Sequence, residues 1–169
     1  MNEKLNIILN NYFKSLDDII VLLNKLNDEI YNQKSKFLLD HSIGQHFRHI
    51  YDFYNQLLKG IIIGEINYED RDRNNKLEYN LKKMINAFIL IKEKFKFKKN
   101  TNLLIMIESN KIIKEHLDSN LKRELEFIHS HSLHHLAMIR GVLEAEHRFT
   151  FNDNIGFSLS TVKYKEKIL

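Results

Sequence analysis

Apolar residues recur every three or four positions over long stretches of this chain, a period that suits an amphipathic helix and not a strand. From residue 4 to residue 34 the spacing holds through Leu5, Ile8, Leu9, Tyr12, Phe13, Leu16, Ile19, Ile20, Leu23, Leu26 and Ile30, which predicts one long helix. Ser42 is a good N-cap residue and opens a second helix with Ile43, Phe47, Ile50, Tyr54 and Leu57 on its apolar face. The segment from Gly64 to Asn75 is polar and reads as a loop. A third helix follows, presenting Leu77, Leu81, Met84, Ile85, Phe88 and Ile91. The period then changes. Leu103, Ile105 and Ile107 alternate with other residues, Ser109-Asn110 is a turn signal and Ile112-Ile113 starts a second run, so a small β-hairpin is expected. Ser119 caps a fourth long helix reaching about His147, and Phe149 to Leu169 reads as an irregular tail. Four long helices with one apolar seam each predict an all-α four-helix bundle in a single domain spanning residues 1–169.

Composition narrows the chemistry. The chain has no cysteine, so disulfides, thiolate metal sites and cysteine nucleophiles are excluded, and any metal must take nitrogen or oxygen ligands. It has no proline either, so nothing rigid marks its loops. The longest apolar runs, Ile61-Ile62-Ile63 and Ala87 to Ile91, are far too short to span a bilayer. The start, Met1-Asn-Glu-Lys-Leu, lacks a basic-then-apolar signal pattern, so the expectation is a cytoplasmic protein with no membrane partner. The formal charge of +4 is spread along the chain among acidic residues. Its one concentrated basic run, Lys92 to Lys99, falls where a helix ends and the dipole favours cations, so no nucleic-acid partner is expected.

Four of the nine histidines lie in His129-Ser-His-Ser-Leu-His-His135. His131 and His135 are four residues apart, about 40° around a helix, on the stripe of Leu121, Ile128, Met138 and Val142 that turns inward. Two imidazoles in core positions one turn apart point to a bound metal ion. His134 lies about 100° from His135 and reads as a flanking residue. His129, about 160° from His131, faces solvent or a helix interface. His41, His116 and His147 follow no pattern and suit the surface. A catalytic zinc site usually has three protein ligands and one open position. The second helix offers two candidates for the third, His46 and His49, and spacing alone does not choose between them.

The segment SIGQHFRHIYDFY at 42–54, followed by RELEFIHSHSLHHLAMI at 123–139, resembles the DinB/YfiT-like superfamily of four-helix-bundle metalloproteins. INYEDRDR at 66–73 and IGFSLSTVKY at 155–164 support the resemblance, which covers nearly the whole chain. The tail departs from it in Gly156-Phe-Ser-Leu-Ser-Thr161, a segment where relatives often carry a proline. The resemblance implies that one histidine of the second helix and an HxxxH pair of the fourth bind one divalent ion, commonly zinc or nickel. Matched to this sequence, those ligands are His49, His131 and His135. It also implies thiol-dependent transferase or isomerase activity in some members.

Two carboxylates are catalytic candidates. Asp52, three residues after His49, can orient a ligand or approach the open position, or else pair with Arg48 or Lys59 at the surface. Glu124, two turns before His131 on the same face, is a candidate general base, or else a first-turn charge paired with Arg123 or the helix dipole. The Tyr68 to Arg73 loop reads as structural, with arginines able to reach an anionic substrate. Three neutral imidazoles leave the ion its full charge, which lowers the pKa of a bound water or thiol. The expected function is therefore a metal-dependent hydrolase or thiol transferase acting on a small molecule, with a low-molecular-weight thiol as co-substrate in the second case. The alternative is a non-catalytic, stress-associated interaction protein whose ion is structural. A homodimer through exposed helix faces is compatible with either.

Overall fold

The computed structural model describes residues 3–73, 75–95, 102–109, 113–151 and 154–168. Helix α1, Glu3–Asn24, stops before the apolar period does. The N–H groups of Lys25 and Leu26 turn back to the carbonyls of Leu22 and Leu23 at 3.0 and 3.2 Å, closing the helix with tight turns. Asn27 then accepts from the Ile30 N–H at 2.8 Å and caps a separate short helix, α2, Asp28–Asn32. The single helix expected over 4–34 is thus two. The period runs through the break because Leu26 is buried and Ile30 still packs on the core.

A two-residue hairpin follows, β1 Lys34–Ser35 with β2 His41–Ser42, around a 3-10 turn at Lys36–Leu38. Leu39 and Asp40 close it with left-handed φ of 55° and 62°. Helix α3, Ile43–Ile63, starts at the expected Ser42. The Ser42 hydroxyl accepts from the Gln45 N–H at 3.2 Å, and the Gln45 side chain accepts from the Ser42 N–H at 2.9 Å, a complete capping box. Gly64, with φ 84°, ends the helix, and β3, Glu65–Ile66, lies inside the segment expected to be a loop.

The expected third helix is also divided, into α4, Asn75–Glu78, and α5, Leu81–Phe95, where Asn80 accepts from the Lys83 N–H at 2.8 Å and restarts the chain. The expected hairpin is present as β4, Asn102–Ser109, antiparallel to β5, Ile113–Asn120, and it is longer than the apolar alternation indicates. β3 pairs in parallel with β4, so the sheet has three strands in the order β3-β4-β5. Asn110 and Ile112 of the expected turn, and Lys96 to Lys99 of the basic run, lie outside the described residues.

Helix α6, Leu121–His147, is capped by Asn120, which accepts from the Arg123 N–H at 3.2 Å, and not by Ser119, whose hydroxyl turns to Glu124. The expected irregular tail contains a helix, α7, Leu159–Ile168. Ser158 accepts from the Thr161 N–H at 3.3 Å at its start. Most of α7 is exposed, so it carries no buried stripe for a period to reveal.

The described chain is mostly helical, and its four long helices close a ring in which α1 and α3 each touch both α5 and α6. Leu16, Ile19, Leu23, Phe47, Ile50, Phe88, Leu125 and Ile128 fill the centre. Tyr12, Tyr54, Phe88 and Phe95 add edge-to-face contacts with centroids 5.0 to 6.4 Å apart. Among the described residues no helix is long and apolar enough to cross a membrane.

Gly44, in the first turn of α3, has the least room for a side chain of the five glycines. A Cβ there would stand 2.1 Å from the Glu78 carbonyl and 2.7 Å from the Tyr31 ring. Tyr31 itself donates to the Leu77 carbonyl at 2.7 Å, so neither neighbour yields easily. In a helix, alanine normally stabilises relative to glycine by about 1 kcal/mol. Gly44→Ala should instead lose about 2–3 kcal/mol in urea unfolding, as overpacked sites do. Gly141→Ala, in α6 with nothing within 4 Å of its added Cβ, should gain roughly 0.5–1 kcal/mol in the same assay.

Candidate metal centre

Helices α3 and α6 lie directly against one another and bring histidines from both into one cluster. His49 of α3 and His131 and His135 of α6 each present a ring nitrogen, and these three atoms lie within 4.8 Å of one another. The His49 and His131 Nε2 atoms are 2.9 Å apart and share a hydrogen bond. The centroids are 4.7 Å apart for His49 and His135 and 4.6 Å apart for His131 and His135. Tetrahedral nitrogen ligands about 2.0–2.1 Å from a zinc ion stand roughly 3.3 Å from each other. The triad is therefore within a few tenths of an ångström of a ligating arrangement on its closest side. The three expected ligands are the three that converge.

Protonation favours the same use. Burial, followed by the neighbouring His131 and three other cations or imidazoles, lowers the His49 pKa to about 4. Burial and then His49 lower that of His135 to about 3, and burial lowers that of His131 as well. All three rings are neutral at pH 7, the form that ligates a metal. The donor set fits a borderline divalent cation such as zinc or nickel.

His46 has a different place from His49. It is buried, and its Nδ1 is 2.9 Å from the Nδ1 of His135, so it fixes that ring from behind. His134 is exposed with its ring 5.2 Å from His135, in the flanking position expected of it. His129 is half-buried at the interface of α1 and α6, bonded to Ser15 at 2.7 Å. His41 and His116 are exposed, the latter bonded to Glu65 at 2.9 Å.

Aromatic side chains form one wall of the cluster. The Phe53 ring lies 4.3 Å from that of His131 and 5.1 Å from that of His49, and Phe127 stacks beside His131. Tyr68 stacks on Phe53 at 5.2 Å, which brings the 66–73 segment to the site. Arg71 comes with it. Its guanidinium sits 4.8 Å over Phe53, it donates to the Tyr68 carbonyl at 2.6 Å, and its buried Nε has no hydrogen-bond partner. Its positive charge is felt at both His49 and His131.

Neither candidate carboxylate joins the triad. Asp52 is buried, not at the surface, and accepts from Arg48 at 2.7 Å; the same guanidinium donates to Glu78 at 2.8 Å. Lys59 pairs with Asp72 instead. Glu124 is fully buried with both oxygens in use, one accepting from the Tyr68 hydroxyl at 2.8 Å and the other from Ser119 and Arg123. Arg48 links Asp52 within α3 to Glu78 of α4, and Glu124 ties α6 to the 66–73 segment. Sequence spacing did not reveal His46 as the support of His135, although its position three residues before His49 put it on the correct side. Arg71 carried no spacing signal toward the triad at all.

Compared with protein-family models, curated proteins and solved structures, the chain matches none.

Arg48 balances two buried carboxylates, and taking away one member of a buried ion pair leaves uncompensated charge. Arg48→Met should cost about 3 kcal/mol or more in denaturant unfolding, and the double variant with Asp52→Asn should recover part of it.

Proposed function

We propose that this chain is a divalent-metal-dependent enzyme with a DinB/YfiT-like four-helix bundle, acting on a small molecule as a hydrolase or as a transferase that uses a low-molecular-weight thiol. The observation that carries the reading is the donor set. Three half-buried, neutral imidazoles converge, and among the described residues no further histidine, cysteine or carboxylate completes the group. Catalytic zinc sites keep three protein ligands and one open position, whereas structural sites close with four. The bundle type is supported by the ring of α1, α5, α3 and α6, and by the hairpin between the last two long helices.

In this reading His49, His131 and His135 hold a zinc or nickel ion. When bound, the ion supplies the dipositive charge that acidifies a coordinated water or thiol and polarises an electrophile. His46 keeps the His135 ring in its orientation. Phe53 and Phe127 keep water from one side, which strengthens electrostatic interactions there. Arg71 offers a cation whose charge reaches His49 and His131, suited to a carboxylate or phosphate on the substrate.

A second reading is favoured by the occupied carboxylates. With Asp52 and Glu124 both engaged in structural pairs, the ion would have no free acid as a helper and would serve to tie α3 to α6.

Protein purified without chelator should contain about one zinc or nickel per chain, lost in His135→Ala; absence of a stoichiometric ion would defeat both readings. EDTA should lower the Tm in either case. Turnover separates the two. A screen of electrophiles and esters with several cellular thiols should give activity that Arg71→Ala reduces through a KM raised about tenfold, with metal content unchanged. No turnover with a fully loaded protein leaves the structural reading.

A further inference from the structure

Beyond the triad the imidazoles continue toward the surface. The His46 ring lies 5.1 Å from that of His135, and the His41 ring lies 6.4 Å from that of His46. His134 adjoins the same stretch, its ring 5.2 Å from that of His135. Burial first, then His41 and then His134, lower the His46 pKa to about 4, so both outer histidines are close enough to act on His46. His46 is buried, whereas His41 and His134 are exposed. The row thus runs from the aromatic wall at Phe53, through His131 and His135, past His46, to water.

The His41 ring is oriented by its own turn. Its Nδ1 lies 2.9 Å from the Leu39 carbonyl. A carbonyl only accepts, so Nδ1 carries the proton and Nε2 keeps a lone pair, the arrangement a metal ligand needs. The turn that supplies the carbonyl holds Leu39 and Asp40 at left-handed φ of 55° and 62°, a conformation that costs any residue with a Cβ. The hairpin is also tied to α6, where Ser35, the register partner of His41, donates to Glu146 at 3.0 Å. The opposite end of the row suits an approaching cation less. Phe53 and Phe127 wall it, and the Arg71 charge acts on His49 and His131. Like charges repel, so a dipositive ion is favoured on the His41 side.

Given an ion at the triad, as proposed above, we infer that His41 and His134 form its entry: they take the ion up at the surface and pass it, by exchange of one nitrogen ligand for another, past His46 to His49, His131 and His135. Each exchange swaps neutral donors or water at the ion, so it consumes no proton, oxidant or reductant. The two entry residues act in transit and are not ligands of the final site. Removing them therefore slows uptake and release by the same factor and leaves the equilibrium where it was.

The test is the kinetics of zinc exchange in the full chain, in His41→Ala, His134→Ala and the double variant, with His116→Ala as the control for loss of an exposed histidine elsewhere. Uptake by chelator-stripped protein is followed by stopped flow against a chromophoric zinc indicator, and release is followed from loaded protein into excess EDTA. Both rates should fall about tenfold in the double variant, with about one zinc per chain still bound and Kd unchanged. His116→Ala should match the parent. Both entry side chains are exposed, so the variants should keep the parent's Tm. Unchanged rates in the double variant, with the ion still bound stoichiometrically, would overturn the entry and leave the metal centre standing. A lower stoichiometry or a weaker Kd would overturn it too, by making either residue a permanent ligand. A parent chain that takes up no zinc would defeat the metal reading and the entry together.

Discussion

Two histidine pairs across one helix interface govern the arrangement of this protein. His46 meets His135 and His49 meets His131, each through ring nitrogens 2.9 Å apart, so α3 and α6 are joined at successive turns by the same kind of contact. Such a contact needs one N–H and one bare nitrogen, and it fails if both rings are protonated. Burial lowers the pKa of His46, His49 and His135, which favours the neutral rings that this contact needs. The interface thus carries half-buried imidazoles beside the apolar core, and aromatic side chains shield one flank of them. Phe53 and Phe127 cover its flank, and Tyr68 stacks on Phe53 from the segment after α3.

The acids near this interface show how position on a helix face differs from chemical availability. Asp52 and Glu124 lie at the offsets where a general base could be, yet each is already engaged, Asp52 by one donor and Glu124 by three. Arg48 holds Asp52 and Glu78 together, and Tyr68, Ser119 and Arg123 saturate Glu124. A helical wheel reports direction only. What a carboxylate does depends on which donors the fold brings to it, and those donors came from a loop, a strand and neighbouring turns of the long helices.

The same distinction explains what the sequence made legible. The long helices were readable because each buries a stripe with a 3.6-residue period, and α3 was readable to its first residue because Ser42 and Gln45 form a capping box. The breaks at residues 25–27 and 79–80 were not, since Leu26 and Leu81 continue the buried stripe across them. Helix α7 was missed for the opposite reason, having almost no buried face. At the candidate metal centre, one turn of separation made His131 and His135 a pair, whereas His49 was distinguished from His46 only through the family resemblance. Arg71 reaches the cluster by a loop path that no local period encodes.

The three-stranded sheet has a colloidal consequence. β3 pairs with β4 at Leu104 and Ile105 on one side and β5 runs along the whole of the other, so β5 is an edge strand with backbone groups available to another chain. Long edges of this kind nucleate sheet-to-sheet association between molecules. In β5 the residues Glu115, His116, Leu117 and Asp118 are exposed to water, two of them acidic. Docking a second strand there would strip solvent from those charges, a cost that disfavours pairing at this edge.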